Sequence, residues 1–344
     1  MKRLSTKEAI SLFKGAGLLE LGHMADEVRK SLHPDGIVTF IIDRNINYTN
    51  ICINKCSFCA FYRDASSPDA YVLSKRELFK KIDETLRHGG TQILLQGGLN
   101  PDLDIDFYIN LLKEVKRNFK INIHGFSPPE IEYIAKRSSL TIRETLRVLK
   151  DAGLDSIPGG GAEILSDRVR RALSPKKIDT SKWLRVMKEA HRLGMRTTAT
   201  MMFGSLETPK EIISHLSLIR SLQDETGGFT AFIPWPFQPG NTRFEGSIYP
   251  ATAVEYLRVL AISRLYLDNI PNIQASWVTQ GIRTAQIALR FGANDLGSTM
   301  LEENVVSSTG VRYRVSKEDI ISAIRGAGFI PAQRDTYYNL LRRF

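Results

Sequence analysis

The chain has 344 residues, 42% of them hydrophobic and 24% charged, an ordinary soluble composition with enough apolar residues to bury a sizeable core. No window reaches the roughly 18–20 uninterrupted apolar residues of a membrane span, and MKRLSTKEAISLFKGAG at the start lacks the apolar region of a secretory leader, so the expected location is cytoplasmic, with no membrane partner. The 47 Lys and Arg outweigh 37 Asp and Glu to give +10, but they are scattered over helical stretches and form no long run that could track a phosphate backbone, which argues against nucleic acid as a partner.

Residues 6–32 read as helical, with Leu12, Phe13, Leu18, Leu19, Leu21 and Met24 available for packing. Residues 1–36 are expected to form an N-terminal helical extension packed on a domain spanning 37–344. Two short strand-like pieces, IVTFIID (37–43) and INYTN (46–50), lead directly to the only three cysteines. Ser74, with Glu77 three residues later, has the form of a capping box for a helix to about His88. Gly89-Gly90 ends it before the buried-strand pattern TQILLQ (91–96). There follow helix 104–119, strand INIHGF (121–126), helices 128–137 and 141–151, and strand LDSIPGGG (154–161). Helix 180–193 precedes MRTTATMMF (195–203), helix 209–224 precedes GFTAFIPW (228–235), and helix 251–268 precedes NIQASWV (272–278). Helix 281–291, strand ANDLGS (293–298) and a helix over about 316–327 complete the series. Eight β-then-α units predict an α/β fold with a parallel sheet. A doubly wound sheet fits the alternation too. Polar, Gly-rich clusters after nearly every strand (QGGLNPD, HGFSPPE, PGGGAE, FGSLET, PWPFQP, SWVTQG, NDLGST) favour a (βα)8 TIM-type barrel, where such loops meet at one rim.

Cys52-x3-Cys56-x2-Cys59 places three soft thiolates in one loop. Three is an odd number with no distant partner for a disulfide framework, and a cytosolic setting keeps thiols reduced. Soft sulfur selects iron–sulfur clusters, zinc or copper(I). Structural zinc usually takes four protein ligands, and His33 and His88, the nearest histidines in sequence, have no ligand spacing to the loop. A four-iron cluster on three cysteines leaves one iron open to a non-protein ligand. A zinc knuckle or a stray cysteine cluster is the structural alternative. The non-enzymatic alternative is an electron-transfer iron–sulfur protein, but such proteins usually ligate every iron with protein groups.

The Cx3Cx2C loop closely resembles the signature of the radical S-adenosylmethionine (SAM) superfamily. The resemblance implies a [4Fe–4S] cluster on Cys52, Cys56 and Cys59 whose open iron chelates SAM, and cleavage of that cofactor to methionine and a 5′-deoxyadenosyl radical. Phe58 matches the aromatic that shields the cluster. Gly97 and Gly98 match a GGE-like turn that receives the methionine amino group, although Leu99 replaces the Glu, so that only backbone acceptors serve there. Glu163 stands where the superfamily places a ribose contact, and Gly204-Ser205-Leu206-Glu207 resembles a Gly-x-x-Glu cofactor motif ending in Glu207. Each has an ordinary reading beside it: a tight turn at Gly97-Gly98, and an acid favoured at the start of helix 209–224 for Glu207.

From about residue 37 to 336 the chain is similar to the dehypoxanthine futalosine cyclase family of the futalosine route to menaquinone. IIDRNINYTNICINKCSFCAFYRD, GFSPPEI, LDSIPGGGAEIL, TTATMMFGSLET, DETGGFTAFIPWPFQP, NIQASWVTQG and FGANDLGSTMLEENVV carry the resemblance, and IPWPFQP and 293–306 are its more specific pieces. It implies a small nucleoside-benzoate substrate, hydrogen abstraction from its ribose, and addition of the carbon radical to its own benzoate ring. It also implies an external one-electron reductant such as flavodoxin or ferredoxin. The candidate substrate contacts are Trp235, His124, Asn294, Asp295, Ser298 and Thr299. Trp235 and Phe237 have ordinary loop packing as their alternative, His124 a satisfied core position, and Glu302 and Glu303 a solvated helix face. Ser205 lies where close relatives often carry His, so any proton transfer by that His needs another group here. Aminofutalosine synthase and the deazaflavin-cofactor synthase subunit share the fold and the loop, and are the nearest alternatives.

Overall fold

The computed structural model describes residues 3–344; the first two residues of the expected 1–36 extension lie outside them. The chain opens with α1 (Thr6–Gly15) and α2 (Leu18–Leu32). The continuous helical stretch expected over 6–32 is interrupted because Ala16 and Gly17 are both extended, Gly17 serving as the N-cap of α2. β1 (Ile37–Ile41) and β2 (Asp43–Asn47) follow, and every residue of both is buried. Helix and strand then alternate through α3 (Lys75–Arg87), β3 (Gln92–Gln96), α4 (Ile105–Asn118), β4 (Asn122–Gly125), α5 (Pro128–Arg137), α6 (Ile142–Ala152) and β5 (Ser156–Ile157). The second half runs through α7 (Asp167–Leu173), α8 (Thr180–Arg192), β6 (Arg196–Phe203), α9 (Pro209–Thr226), β7 (Phe229–Pro236), α10 (Ala253–Tyr266) and β8 (Asn272–Ile273). The chain ends with α11 (Trp277–Ala288), β9 (Asp295–Ser298), α12 (Lys317–Gly326), β10 (Ile330–Arg334) and β11 (Leu340–Arg343).

Local chemistry sets the helix starts. Ser74–Glu77, Thr141–Glu144, Thr208–Glu211 and Thr252–Glu255 each form a reciprocal capping box, satisfying amides that the first turn leaves free. Two strands are shorter than their sequence patterns. β5 stops before Pro158, which has no N–H for the ladder, and Gly159 comes so near β6 that a Cβ would lie 2.6 Å from the Thr200 amide nitrogen. β8 stops at Ile273, and α11 opens with a short turn from Trp277 and kinks at Gly281 (φ +74), where the helix expected over 281–291 begins. α7, β10 and β11 lie outside the sequence-predicted elements.

β2 to β8 form one parallel sheet in chain order. An isolated parallel bridge joins Gln274 to Asp295, and β9 pairs with β1, Thr39 opposite Asp295 and Ile41 opposite Ser298. Past β9, Leu301 N still donates to Asp43 O and Asn45 N to Glu302 O. β1 and β2 thus act as one strand, and the ring of eight parallel strands closes as a TIM-type barrel. Alternation along that strand turns Asp43 and Asn45 toward the barrel interior, while Arg44 reaches outward to Glu84 on α3 at 2.8 Å.

β10 extends the lower part of β1 in parallel, from Ile37 opposite Ile330 to Phe40 opposite Gln333. The segment after it crosses the N-terminal end of the barrel as a floor. There Asn122 Nδ2 donates to Thr336 Oγ1 at 3.1 Å, and the Tyr337 hydroxyl donates to Asp155 O at 3.3 Å. The main core lies between strands and outer helices, with Ile93, Leu95, Ile123, Leu146 and Val186 fully buried. α1 packs on α9 and α10, and α2 on α10. Among the described residues no helix is long and apolar enough to cross a membrane.

Candidate functional site

The cysteine loop rises from the C-terminal end of β2 and is tied down by backbone hydrogen bonds. Cys52 N donates to Arg63 O at 3.1 Å, Ile53 N to Leu99 O at 3.0 Å, and Cys59 N to Cys56 O at 3.0 Å. Ser57 bridges two neighbouring segments: its N–H donates to Leu173 O, and its carbonyl accepts from Arg243 N. The Gly97-Gly98 pair exists for close approach, since neither residue has a positive φ. A Cβ on Gly97 would lie 2.5 Å from the Tyr48 ring, and one on Gly98 would strike the Ile51 carbonyl and lie 2.8 Å from Cys52 Cβ. Glu130, which the sequence did not single out, is buried beneath this turn. It accepts from Gly97 N at 3.0 Å and from the Tyr48 hydroxyl at 2.7 Å, and burial raises its carboxyl above the usual range.

All three cysteines are free thiols; Cys56 is buried and the other two are half-buried. Burial pushes the Cys56 thiol up to about 12, against the lowering pull of Lys177, and raises Cys59 as well. Metal loading therefore has to displace protons from this loop. Among the described residues no three His, Cys, Asp or Glu side chains gather round a single-ion site. A four-iron cluster does not require it, because each thiolate binds a different iron. Three soft donors on one loop, cradled by glycines with no room for a Cβ and flanked by a buried cation, fit such a cluster.

Beside the loop, Glu163 adopts φ +41 and is 7% exposed. Its Oε1 accepts from Lys177 Nζ at 2.7 Å. Its Oε2 lies 3.6 Å from Arg170 Nη1 and has no hydrogen-bond partner. Burial alone would lower the Lys177 ammonium, but the adjacent Glu163 carboxylate outweighs it and the net shift is upward. Lys177 Nζ also faces the Phe58 ring, 5.3 Å from its centroid. Glu207 is differently placed. Its carboxylate accepts from Gly204 N, from Ser205 N at 3.1 Å and from Ser205 Oγ at 2.7 Å, closing its own turn. The N-cap of α9 belongs to Thr208.

A cavity of about 290 Å³ occupies the barrel interior. Of the candidate substrate contacts, Trp235, His124 and Ser298 line it. His124 is held by Ser156 Oγ at 2.6 Å, and burial, helped by Arg334, lowers its imidazole to about 3, so it faces the cavity as a neutral ring. Ser298 Oγ donates to Asp43, and Asp43 also accepts from Gln92 Nε2 at 2.6 Å. Burial raises the Asp43 carboxyl despite these donors. The other expected contacts do not line this cavity. Asn294 Oδ1 accepts from Arg264 Nη2 at 2.7 Å and Ile273 N at 2.9 Å, while its Nδ2 donates to Asn272 Oδ1 at 2.8 Å. Asp295, fully buried, is clamped by Arg334 Nε at 2.5 Å and Nη2 at 3.1 Å, and accepts from Thr39 Oγ1 at 2.5 Å. Thr299 lines a neighbouring cleft. Phe237 is core, packed edge-on against Phe244. Glu302 and Glu303 lie on no helix: Glu302 holds Lys81 at 2.6 Å, and Glu303 accepts the amides of residues 305–307 while lining the cavity.

Among the interior polar groups that sequence reasoning missed are three carboxamides. Asn45, Gln96 and Gln274 line the cavity with side chains that make no hydrogen bond among the described residues, and Asn45 Oδ1 is fully buried. A fixed indole, Trp277, joins Trp235 in the wall, its Nε1 donating to Ser298 O at 2.8 Å. A signal existed for Asn45: Asp43, Asn45 and Asn47 alternate along a strand buried throughout, where an apolar run is the norm. Nothing local marked Lys177 or the floor residues Arg334, Thr336 and Tyr338, which also line the cavity.

Residues 46–219 match the radical SAM superfamily, and residues 226–343 match the CofH/MqnC C-terminal region. The chain is 48% identical over its full length to the cyclic dehypoxanthine futalosine synthase of Halalkalibacterium halodurans, covering 93% of that protein. Identity to the Streptomyces coelicolor protein of the same name is 45%, over 98% of this chain and 86% of that one. The 5-amino-6-(D-ribitylamino)uracil–L-tyrosine 4-hydroxyphenyl transferase of Archaeoglobus fulgidus is 44% identical over 94% of both chains. Among solved structures, methylornithine synthase (PylB) superposes with a TM-score of 0.74 at 19% identity, covering 96% of this chain and 95% of that one, a likeness of fold.

Proposed function

The chain belongs to the radical SAM superfamily, whose members use a [4Fe–4S] cluster and S-adenosylmethionine, and from that membership we propose that it cyclises dehypoxanthine futalosine to cyclic dehypoxanthine futalosine in menaquinone biosynthesis. Cys52, Cys56 and Cys59 hold the cluster; Phe58, the Gly97-Gly98 turn and Glu163 border the cofactor. Bound there, cluster and cofactor supply a 5′-deoxyadenosyl radical for hydrogen abstraction. The chain's own work is to bind and orient the substrate and to keep water out. Residues 37–344 make the catalytic barrel and 1–36 an extension that braces it, in a cytoplasmic enzyme served by an external one-electron reductant.

The observation that carries this reading is the cavity itself, which combines free carboxamides with indole walls inside a barrel whose rim bears the cysteine loop. Asn45, Gln96 and Gln274 offer donors and acceptors that suit ribose hydroxyls. Trp235 and Trp277 offer flat apolar walls for a benzoate ring.

An anaerobic product assay tests it. Free 5′-deoxyadenosine should appear in step with the cyclic product, and deuterium at the abstracted ribose position should pass into the deoxyadenosine. Adenosyl label retained inside the main product would identify aminofutalosine synthase chemistry instead. Turnover with tyrosine and the ribitylaminouracil named for the archaeal relatives, and none with dehypoxanthine futalosine, would identify the transferase.

A further inference from the structure

The outer side of the cysteine loop carries charge that the fold does not use. A groove of about 350 Å³ runs between the loop and α5, lined by Ile53, Leu99, Tyr133, Lys136, Arg137 and Lys176 among others. It shares no lining residue with the barrel cavity. Lys136, Arg137 and Lys176 are exposed, and none makes an ion pair or a side-chain hydrogen bond among the described residues. Glu132, the one acid lining the groove, is already engaged by Lys182 at 3.3 Å. Ile53, which directly follows Cys52, is 40% exposed. An exposed aliphatic side chain and a half-buried tyrosine beside uncompensated cations make an apolar patch with a charged border, the usual composition of a transient protein interface.

We propose that this groove docks an acidic one-electron carrier protein, which delivers its electron to the cluster across the Cys52 segment. The proposal rests on the reading that the loop holds a redox cluster. Location and charge both select this occupant. A carrier seated on Ile53 is one residue from a cluster ligand, and three unpaired cations attract an acidic surface and speed its encounter. The step is a single electron transfer: the reduced carrier loses one electron, the oxidised cluster gains it, and no bond or proton changes place.

The test uses reconstituted full-length enzyme with a flavodoxin as the probe, its affinity read by calorimetry and flavin fluorescence at about 50 and about 300 mM salt. Wild-type affinity should fall with salt. The triple variant Lys136→Glu, Arg137→Glu, Lys176→Glu should raise the flavodoxin Kd by about tenfold or more and lose most of that salt dependence. Flavodoxin-driven turnover should slow in parallel, while iron content and dithionite-driven turnover stay at wild-type level. The milder triple Gln variant should lie between the two, and it keeps the test open if charge reversal perturbs folding. A wild-type Kd in both variants would overturn the proposal, as would equal losses of flavodoxin-driven and dithionite-driven turnover in a variant that keeps its iron. Failure of the wild-type enzyme to cyclise dehypoxanthine futalosine with dithionite would sink the cyclase reading alone, since carrier binding is measured separately.

Discussion

Lys177 and Glu163 meet in a buried ion pair, Nζ to Oε1 at 2.7 Å, beside the cysteine loop. The pair joins the loop after β5 to the loop after α7. It leaves Glu163 Oε2 buried without a hydrogen bond, 3.6 Å from Arg170 Nη1.

Glu163→Gln should therefore weaken SAM binding about five- to a hundredfold, the loss of about 1–3 kcal/mol from one hydrogen bond to a buried group. It should also lower the melting temperature, because Lys177 loses its charge partner, while iron content stays intact. Glu207→Gln should lower the melting temperature alone, since both of its oxygens already serve the Gly204–Ser205 turn. Calorimetric titration of the two reconstituted variants checks this; equal affinity losses would place Glu207 on the cofactor too.

Anaerobically reconstituted protein should hold about four irons per chain, and Ala at Cys52, Cys56 or Cys59 should abolish SAM cleavage, because the chain has no fourth cysteine to substitute. Iron analysis and deoxyadenosine release are the measurements. Stoichiometric zinc, with activity surviving one replacement, would refute cluster ligation.

Gly98→Ala should deplete iron without touching any ligand. The new methyl collides with the Ile51 carbonyl and with Cys52 Cβ, backbone and near-backbone atoms that cannot swing away. Overpacking of this kind costs about 1–3 kcal/mol, and the loop carrying Cys52 has to move. Absorbance of the reconstituted cluster and thermal denaturation report the two effects.

Asn45→Ala should raise KM for dehypoxanthine futalosine about five- to a hundredfold, the magnitude expected for one lost hydrogen bond. The melting temperature should hardly change, because the amide has no protein partner to lose. A large drop in melting temperature with unchanged KM would assign Asn45 to the scaffold.

Stability should fall as pH drops from about 6.5 to about 4. His191, wedged between Thr226 and Thr197, takes its proton near 4 in the folded state because burial, aided by Arg196, disfavours the cation; its ordinary value is 6.5. Between those values the unfolded chain binds more protons, so stability rises with pH across the window and is lost on acidification, by up to about 1.4 kcal/mol per pH unit from this residue. His124 and His215, both lowered to about 3, act in the same direction. His191→Gln should flatten the dependence of the denaturation midpoint on pH over this range.

The amino-acid sequence by itself determined the grouping of three thiols in one loop, the alternation of strand and helix, and the helix start after Ser74. These are short-range matters: thiols a few residues apart on one loop, and a hydroxyl bonded to a carboxylate three residues on. Tertiary structure alone decided which polar residues face the cavity. Asn294 and Asp295 looked like substrate contacts, yet Arg264 and Arg334, 30 and 39 residues away in the chain, claim them for stitching β9 to its neighbours. Asn45 and Gln274 gained their place because closure of the ring turned them inward with nothing to bond. Lys177 meets Glu163 because α7 folds the segments on either side of it together, its Arg170 donating to Ala162 O and Ile178 O. A side chain's partner across the barrel depends on strand pairing and on what else is buried there, and both are set by contacts between residues far apart in the chain.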